Sequence, residues 1–250
     1  MTPEERSKTT VYTSGEHCPM CAAAHGWVGL GRIIYASSSE QLVQWVSEMG
    51  ETLKQWGREK NRMKKVAEIC CGSIEDALIA QRAGADRIEL NNAMYLFGLT
   101  PSLGTIKLAV ESCHVPLVVM ARPRPGGFNY NDHELDTILA DIESMVEYDI
   151  EGVAFGCLDE NRNIDKEKNK KIIDVIHKGN KDAIFHRAFD GVKNPFRSME
   201  LLIDLGVKRV LTSGLNTTAE RGVELLAELQ HSYGDKIEIL AGGGGYCFEL

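Results

Sequence analysis

From Val66 onward, short apolar runs alternate with longer stretches whose apolar residues recur every three or four positions. The runs are VAEICCG, RIEL, PLVVMARPR, GVAFGCLD, AIFHRAFD, RVLTSGL and IEILAGGGG. Between them lie IEDALIAQRAGA, PSLGTIKLAVESC, HELDTILADIESMVEYDI, DKEKNKKIIDVIHKG, NPFRSMELLIDLG and TAERGVELLAELQHSYG, each with helical spacing. The pattern predicts βαβ units and hence a parallel sheet. AGAD at Ala83–Asp86 and DLGVKRV at Asp204–Val210 each place a Gly after the last helical residue, the usual helix stop. The strands follow one another evenly, with no long crossover. A TIM-like (β/α) barrel with seven strands is therefore preferred to a doubly wound sheet.

Polar residues gather after the apolar core of these strands, where either fold builds its site. If VVMARPR is a barrel strand, Arg122 and Arg124 alternate with Pro123 and share one face. Two arginines there need carboxylates or an anion, because an unpaired buried charge is very costly. Glu68 and Glu89 sit in the first two strands, each flanked by apolar residues. His186, Arg187 and Asp190 follow AIF, Thr212 and Ser213 close the sixth strand, and Gly242 to Gly245 close the seventh. Glycine-rich turns at this end of a barrel bind phosphate through backbone N–H groups, which makes Gly243 and Gly244 candidate ligand contacts. The expected chemistry is an acid/base pair of His186 with Asp190 or Glu68. Arg122, Arg124 and Arg187 would hold an anion, with Glu89 and Ser213 beside it. Ion pairs of Glu68 and Glu89 with arginines bridging strands inside the barrel are the structural alternative, and the residue types alone do not choose between the two.

Before Val66 the pattern differs. TTVYTS reads as a strand, CPMCAAAHGWVGLG as a helix, RIIYASS as a strand and the stretch from Ser39 as one long helix or a helix with a frayed, charged linker. The charge-rich run Arg58–Lys65 is the expected boundary between a small α/β fragment, 1–60, and the barrel, 63–250. A net charge of -8 argues against nucleic acid as a partner. No apolar run approaches a membrane span, and MTPEERSKTT is no signal peptide, so a cytoplasmic location is expected. Seven scattered cysteines read as free thiols.

AEICCGSIEDALIAQRAGADRIEL, TPSLG at Thr100–Gly104, MARPRPGGFNY, FHRAFD and VLTSG followed by AGGGG resemble the CutC family of copper homeostasis proteins, from about Met63 to Gly245. The resemblance implies a TIM-like barrel associated with copper tolerance, with copper as a candidate ligand of Cys70. It implies no particular reaction, so a barrel enzyme acting on a phosphorylated or carboxylated small molecule stands as the alternative. Some relatives carry cysteine after IEL where this chain has Asn91, so a two-thiolate copper site is not expected. The family also continues into a further helix, an eighth strand and a last helix, whereas this chain stops at YCFEL. The expected barrel is thus incomplete at its C-terminal end, with open edges that a homodimer, or RIIYASS and the helix after it, would cover. YTSGEHCPMCAAAHGWVGLGRIIYASSSEQL resembles the C-terminal half of the zinc-dependent nucleoside deaminases. Cys18 and Cys21 match their C-x-x-C zinc ligands, but the H-x-E half is not in the chain, which implies an inactive remnant.

Overall fold

The structure is a computed structural model and describes residues 11–13, 33–35 and 66–243. Strands β1 (Val11–Thr13) and β2 (Ile33–Tyr35) pair in parallel as a two-stranded sheet of their own. The ladder of β2 therefore goes to β1 and not to the seven-stranded sheet, contrary to the expected filling of a gap by RIIYASS. Cys18 and Cys21 lie outside the described residues.

The second sheet has seven parallel strands in sequence order: β3 (Glu68–Cys71), β4 (Arg87–Leu90), β5 (Leu117–Met120), β6 (Gly152–Phe155), β7 (Asp182–Phe185), β8 (Arg209–Thr212) and β9 (Glu238–Ala241). Helices α1 (Ile74–Arg82), α2 (Leu103–Ser112), α3 (Asp132–Met145), α4 (Lys166–Lys178), α5 (Pro195–Asp204) and α6 (Val223–Tyr233) alternate with them. Each strand and helix expected from Val66 onward is present, and the two helices expected before it lie outside the described residues. Local chemistry sets the helix ends. Ser102, Asn131, Asp165 and Asn194 cap α2 to α5 through their side chains, and Pro195 occupies the first turn of α5. Gly84 and Gly206 take φ of 96° and 84° beyond α1 and α5, which only glycine adopts freely. Helix α6 starts later than expected, because the chain from Asn216 to Gly222 folds in turns against the end of β8.

Alternation within each strand divides the core. Cys71, Ile88, Leu90, Val119, Phe155, Phe185 and Val210 face the helices in one large cluster. Val118, Met120, Ala154 and Ile184 form a smaller cluster on the other face. Side chains in phase with that smaller cluster point inward, toward the lumen of the curled sheet. β4, β5, β6 and β8 are buried throughout, whereas β3 and β9 are largely half-exposed, as edge strands are.

An ion network at the N-terminal ends of the strands proves the curl. Glu68 pairs with Arg87 and lies 3.8 Å from Arg209 Nη1; Glu151 Oε1 is 3.0 Å from Arg209 Nη2 and 3.3 Å from Arg87 Nη1; Arg209 Nε meets Glu238 at 2.7 Å. β3 and β8 are five strands apart, roughly 24 Å in a flat sheet. The Glu68–Arg209 approach exists only because the sheet rolls up. This places Glu68 at the opposite end from the mouth, fully enclosed by arginines. It closes the floor of the barrel and is not available as a catalytic base.

Candidate functional site

Strand β5 ends at Met120, so Arg122 and Arg124 leave it on a loop and do not share a face. Pro123 and Pro125 explain the early end, since neither has an N–H to continue a ladder. The arginines separate. Arg122 turns in and is 4% exposed. Its Nη1 donates to the carbonyls of Leu96, Phe97 and Gly98 at 3.0, 3.1 and 2.9 Å, and its Nη2 to Gly126 at 3.0 Å. It stacks over Phe128, 5.2 Å from the ring centre. Arg124 turns out to Glu134 of α3, which also closes the capping box with Asn131, and to the carbonyls of Pro125, Gly127 and Asn129. The Arg124 guanidinium and the Asn131 N–H hold the Glu134 carboxyl below its usual range. Both arginines organise loops with their terminal nitrogens, and Arg122 Nε is left buried without a partner.

Arg187 differs. It follows β7, and its Nε donates to Asp190 at 2.8 Å and its Nη2 to Ser213 Oγ at 3.1 Å. Nη1 carries no partner among the described residues, and the side chain is 36% exposed, unlike that of Arg122. Gly243 (φ 115°) lies flat against it: a Cβ there would come within 2.8 Å of Cζ. Asp190 is the hub of this corner. One oxygen accepts from Thr212 Oγ1 at 2.6 Å and from the N–H groups of Ser213 and Leu215. The other takes Arg187 and lies 2.9 Å from Ser213 Oγ. With both oxygens occupied, Asp190 does not partner His186, and the expected acid/base pair is not assembled. Gly244 lies outside the described residues.

His186 faces inward and is 3% exposed. Its Nδ1 accepts from Ala188 N–H at 3.1 Å, which puts the ring proton on Nε2, an atom with no partner. Burial, and then the charge of Arg122, push its pKa down to about 3, so the ring is neutral at physiological pH. Across the lumen, Cys70, Glu89 and Asn91 also point inward. Glu89 Oε1 accepts from Asn91 Nδ2 at 3.0 Å and from the Cys70 thiol at 3.4 Å, while Glu89 Oε2 and Asn91 Oδ1 are buried without partners. Burial, and then the Glu68 charge, raise the Glu89 pKa. A cavity of about 380 Å³ opens beside Asn91 and Asn92, between the loops after β3 and β4. Asn91 had figured in the sequence only as a place where cysteine is missing. The register that puts it two residues beyond inward-facing Glu89 was the available signal.

Cys70 is the described cysteine that reaches solvent; Cys71, Cys113 and Cys157 are buried. Although accessible, its thiol sits deep among protein atoms. Desolvation, then the Glu89 and Glu68 charges, hold it well above its ordinary range. Alkylation of Cys70, read by peptide mass after iodoacetamide, is expected to be slow at pH 7.5 and to gain about tenfold per pH unit beyond pH 9. A rate that levels off below pH 9 would contradict the assigned environment. Cu(I) prefers several sulfur ligands. Here one protonated thiol and one carboxyl meet, and among the described residues no three His, Cys, Asp or Glu side chains converge on a point. The described residues around Cys70 do not by themselves supply the donor set of a resident copper ion.

The CutC family model matches residues 65–247. The CutC family protein of Treponema denticola is 44% identical over 177 residues, covering 71% of this chain and 71% of that one. The copper homeostasis protein cutC homolog of Homo sapiens is 40% identical over 177 residues, covering 71% of this chain and 64% of its own length. A crystal structure of CutC from Streptococcus agalactiae superposes with a TM-score of 0.69 at 30% identity, covering 72% of this chain and 89% of that one.

Proposed function

The chain belongs to the CutC family, and on that premise we propose that it serves copper homeostasis as a ligand-binding barrel whose mouth takes a small anion. The observation that carries this is the contrast among the three mouth arginines. The terminal nitrogens of Arg122 are held by loop carbonyls and Arg124 by Glu134 and carbonyls, with only the buried Arg122 Nε unpartnered, while Arg187 Nη1, at a partly exposed side chain beside Ser213 and Gly243, meets no partner among the described residues. The anion would sit on Arg187 and the backbone of the Gly243 turn, the place where barrels commonly hold phosphate or carboxylate. An acid/base enzyme is the weaker reading, because His186 is neutral and unpaired with Asp190. The link to copper comes from the names of relatives, and the arginine corner favours an anion over a cation. No helix among the described residues is long and apolar enough to cross a membrane.

The test is binding of inorganic phosphate and of acetate to wild type and to Arg187→Gln, read by thermal stabilisation and calorimetry. Wild type is expected to bind at least one of them, and Arg187→Gln to lose tenfold or more, the worth of a charge-assisted pair. A parallel Cu(I) titration with Cys70→Ser is the control. Stoichiometric copper retained by wild type and lost in that variant, with no anion bound, would overturn the proposal in favour of copper.

A further inference from the structure

Four inward-turned side chains carry buried polar atoms with no protein partner: His186 Nε2, Arg122 Nε, Glu89 Oε2 and Asn91 Oδ1, the last packed against Gly98. The residues are 3%, 4%, 2% and 1% exposed. A buried polar atom left unpaired is costly, and four in one lumen call for something that satisfies them. Their chemistry is settled by the bonds they already make. His186 gives its Nδ1 lone pair to Ala188 N–H, so Nε2 is a donor. Asn91 spends its amide N–H groups on the Glu89 carbonyl and on Glu89 Oε1, so Oδ1 is an acceptor. Glu89 Oε2 is the second acceptor of the set when the carboxyl is ionised.

With Arg122 Nε the second donor of the set, a matching ligand offers two donors and two acceptors. Hydroxyl groups do both, each with one proton and two lone pairs. A second anionic group is disfavoured by Glu89 and the Asn91 oxygen, and a cation by Arg122, whose charge already suppresses protonation of His186. The apolar side chains of Met120, Ala154 and Ile184 share the inward face with these atoms. In a barrel of this size, inward side chains from opposite strands meet across the axis. His186 and Arg187 are consecutive, one turned into the lumen and the other at its rim.

We propose that the ligand of this barrel is a short hydroxylated anion, its charged group on Arg187 and its hydroxyls on His186, Glu89 and Asn91. This rests on the anion reading above and adds the neutral, hydroxylated end. Glu89 and Asn91 become specificity-determining residues, which discriminate by leaving acceptors unpaired when a hydroxyl is absent.

The experiment compares inorganic phosphate, n-propyl phosphate, glycerol 3-phosphate and uncharged glycerol on the full chain by calorimetry. Glycerol 3-phosphate is expected to bind at least about tenfold tighter than propyl phosphate, the worth of two modest hydrogen bonds. Glycerol alone is expected not to bind measurably. In Glu89→Gln, where an amide can replace the unpaired oxygen, that preference should fall to within about twofold while inorganic phosphate binds as before. Equal affinities for the propyl and glycerol phosphates in wild type would overturn the inference and leave the anion site standing, with water satisfying the lumen. Binding of none of the phosphates would overturn both. The wild-type comparison decides even if Glu89→Gln fails to fold.

Discussion

Replacing Arg209 by leucine is expected to destabilise the protein by about 3–5 kcal/mol, the cost of stripping a partner from buried opposite charges. Arg209 is 2% exposed and meets three carboxylates, those of Glu68, Glu151 and Glu238. Glu68, equally enclosed, would be left with Arg87 alone. The Arg209–Glu68 approach also ties β8 to β3 across the rolled sheet, so its loss removes a contact between strands that no ladder joins. Urea unfolding by circular dichroism measures the effect. Phosphate affinity at the mouth should stay within about twofold under native conditions, since the network lies at the other end of the strands. A loss below about 1 kcal/mol would show that the floor is held by packing, and a selective loss of ligand binding would return Glu68 and its partners to the site.

Arg122→Met is expected to cost about 3–4 kcal/mol, because four carbonyls lose a charged donor at once and some cannot turn to water. The 4% exposure of Arg122 leaves little room for solvent to replace it. Lysine is a poor substitute: its ammonium has three donors on one atom, whereas the carbonyls of Leu96, Phe97 and Gly98 converge on Nη1 and that of Gly126 on Nη2. The segment that would loosen is the 3₁₀ turn Met94–Leu96, flanked by Ala93 and Phe97 with φ of 47° and 65°. Such left-handed backbone persists only where its surroundings hold it. Tyr95 and Phe97 are 85% and 84% exposed there, so chymotryptic cleavage after them should accelerate in Arg122→Met ahead of global unfolding. Unchanged cleavage with unchanged stability would mean that Arg122 does not organise this loop.

The loop role of Arg122 and Arg124 was not legible from MARPRPGGFNY. Alternation suggested one shared face, but alternation applies only while the chain remains a strand, and β5 stops at Met120. Their partners come from Leu96 to Gly98, about 25 residues earlier, and from Glu134 on the next helix. Glu68 was misplaced for a related reason. Its inward direction was readable, but which end of the barrel it occupied depended on β3 starting at Glu68 itself and on the register that pairs it with Arg87. Arg87 and Arg209 were visible as strand-opening arginines, yet only the rolled sheet shows that they share a carboxylate. Arg187, Asp190 and Ser213, read from the ends of two successive strands, do meet in the fold, with both Asp190 oxygens taken by its neighbours.

The sequence by itself determined seven parallel strands and six helices from Val66 onward. Those features follow from hydrophobic period, capping and glycine stops, which act over a few residues. The tertiary structure alone decided which charges are spent and which are free, because hydrogen-bond satisfaction depends on atoms brought together from loops far apart in the chain. That closure leaves Arg187 with a donor to give at the rim. It also leaves His186, Glu89 and Asn91 with unspent atoms inside.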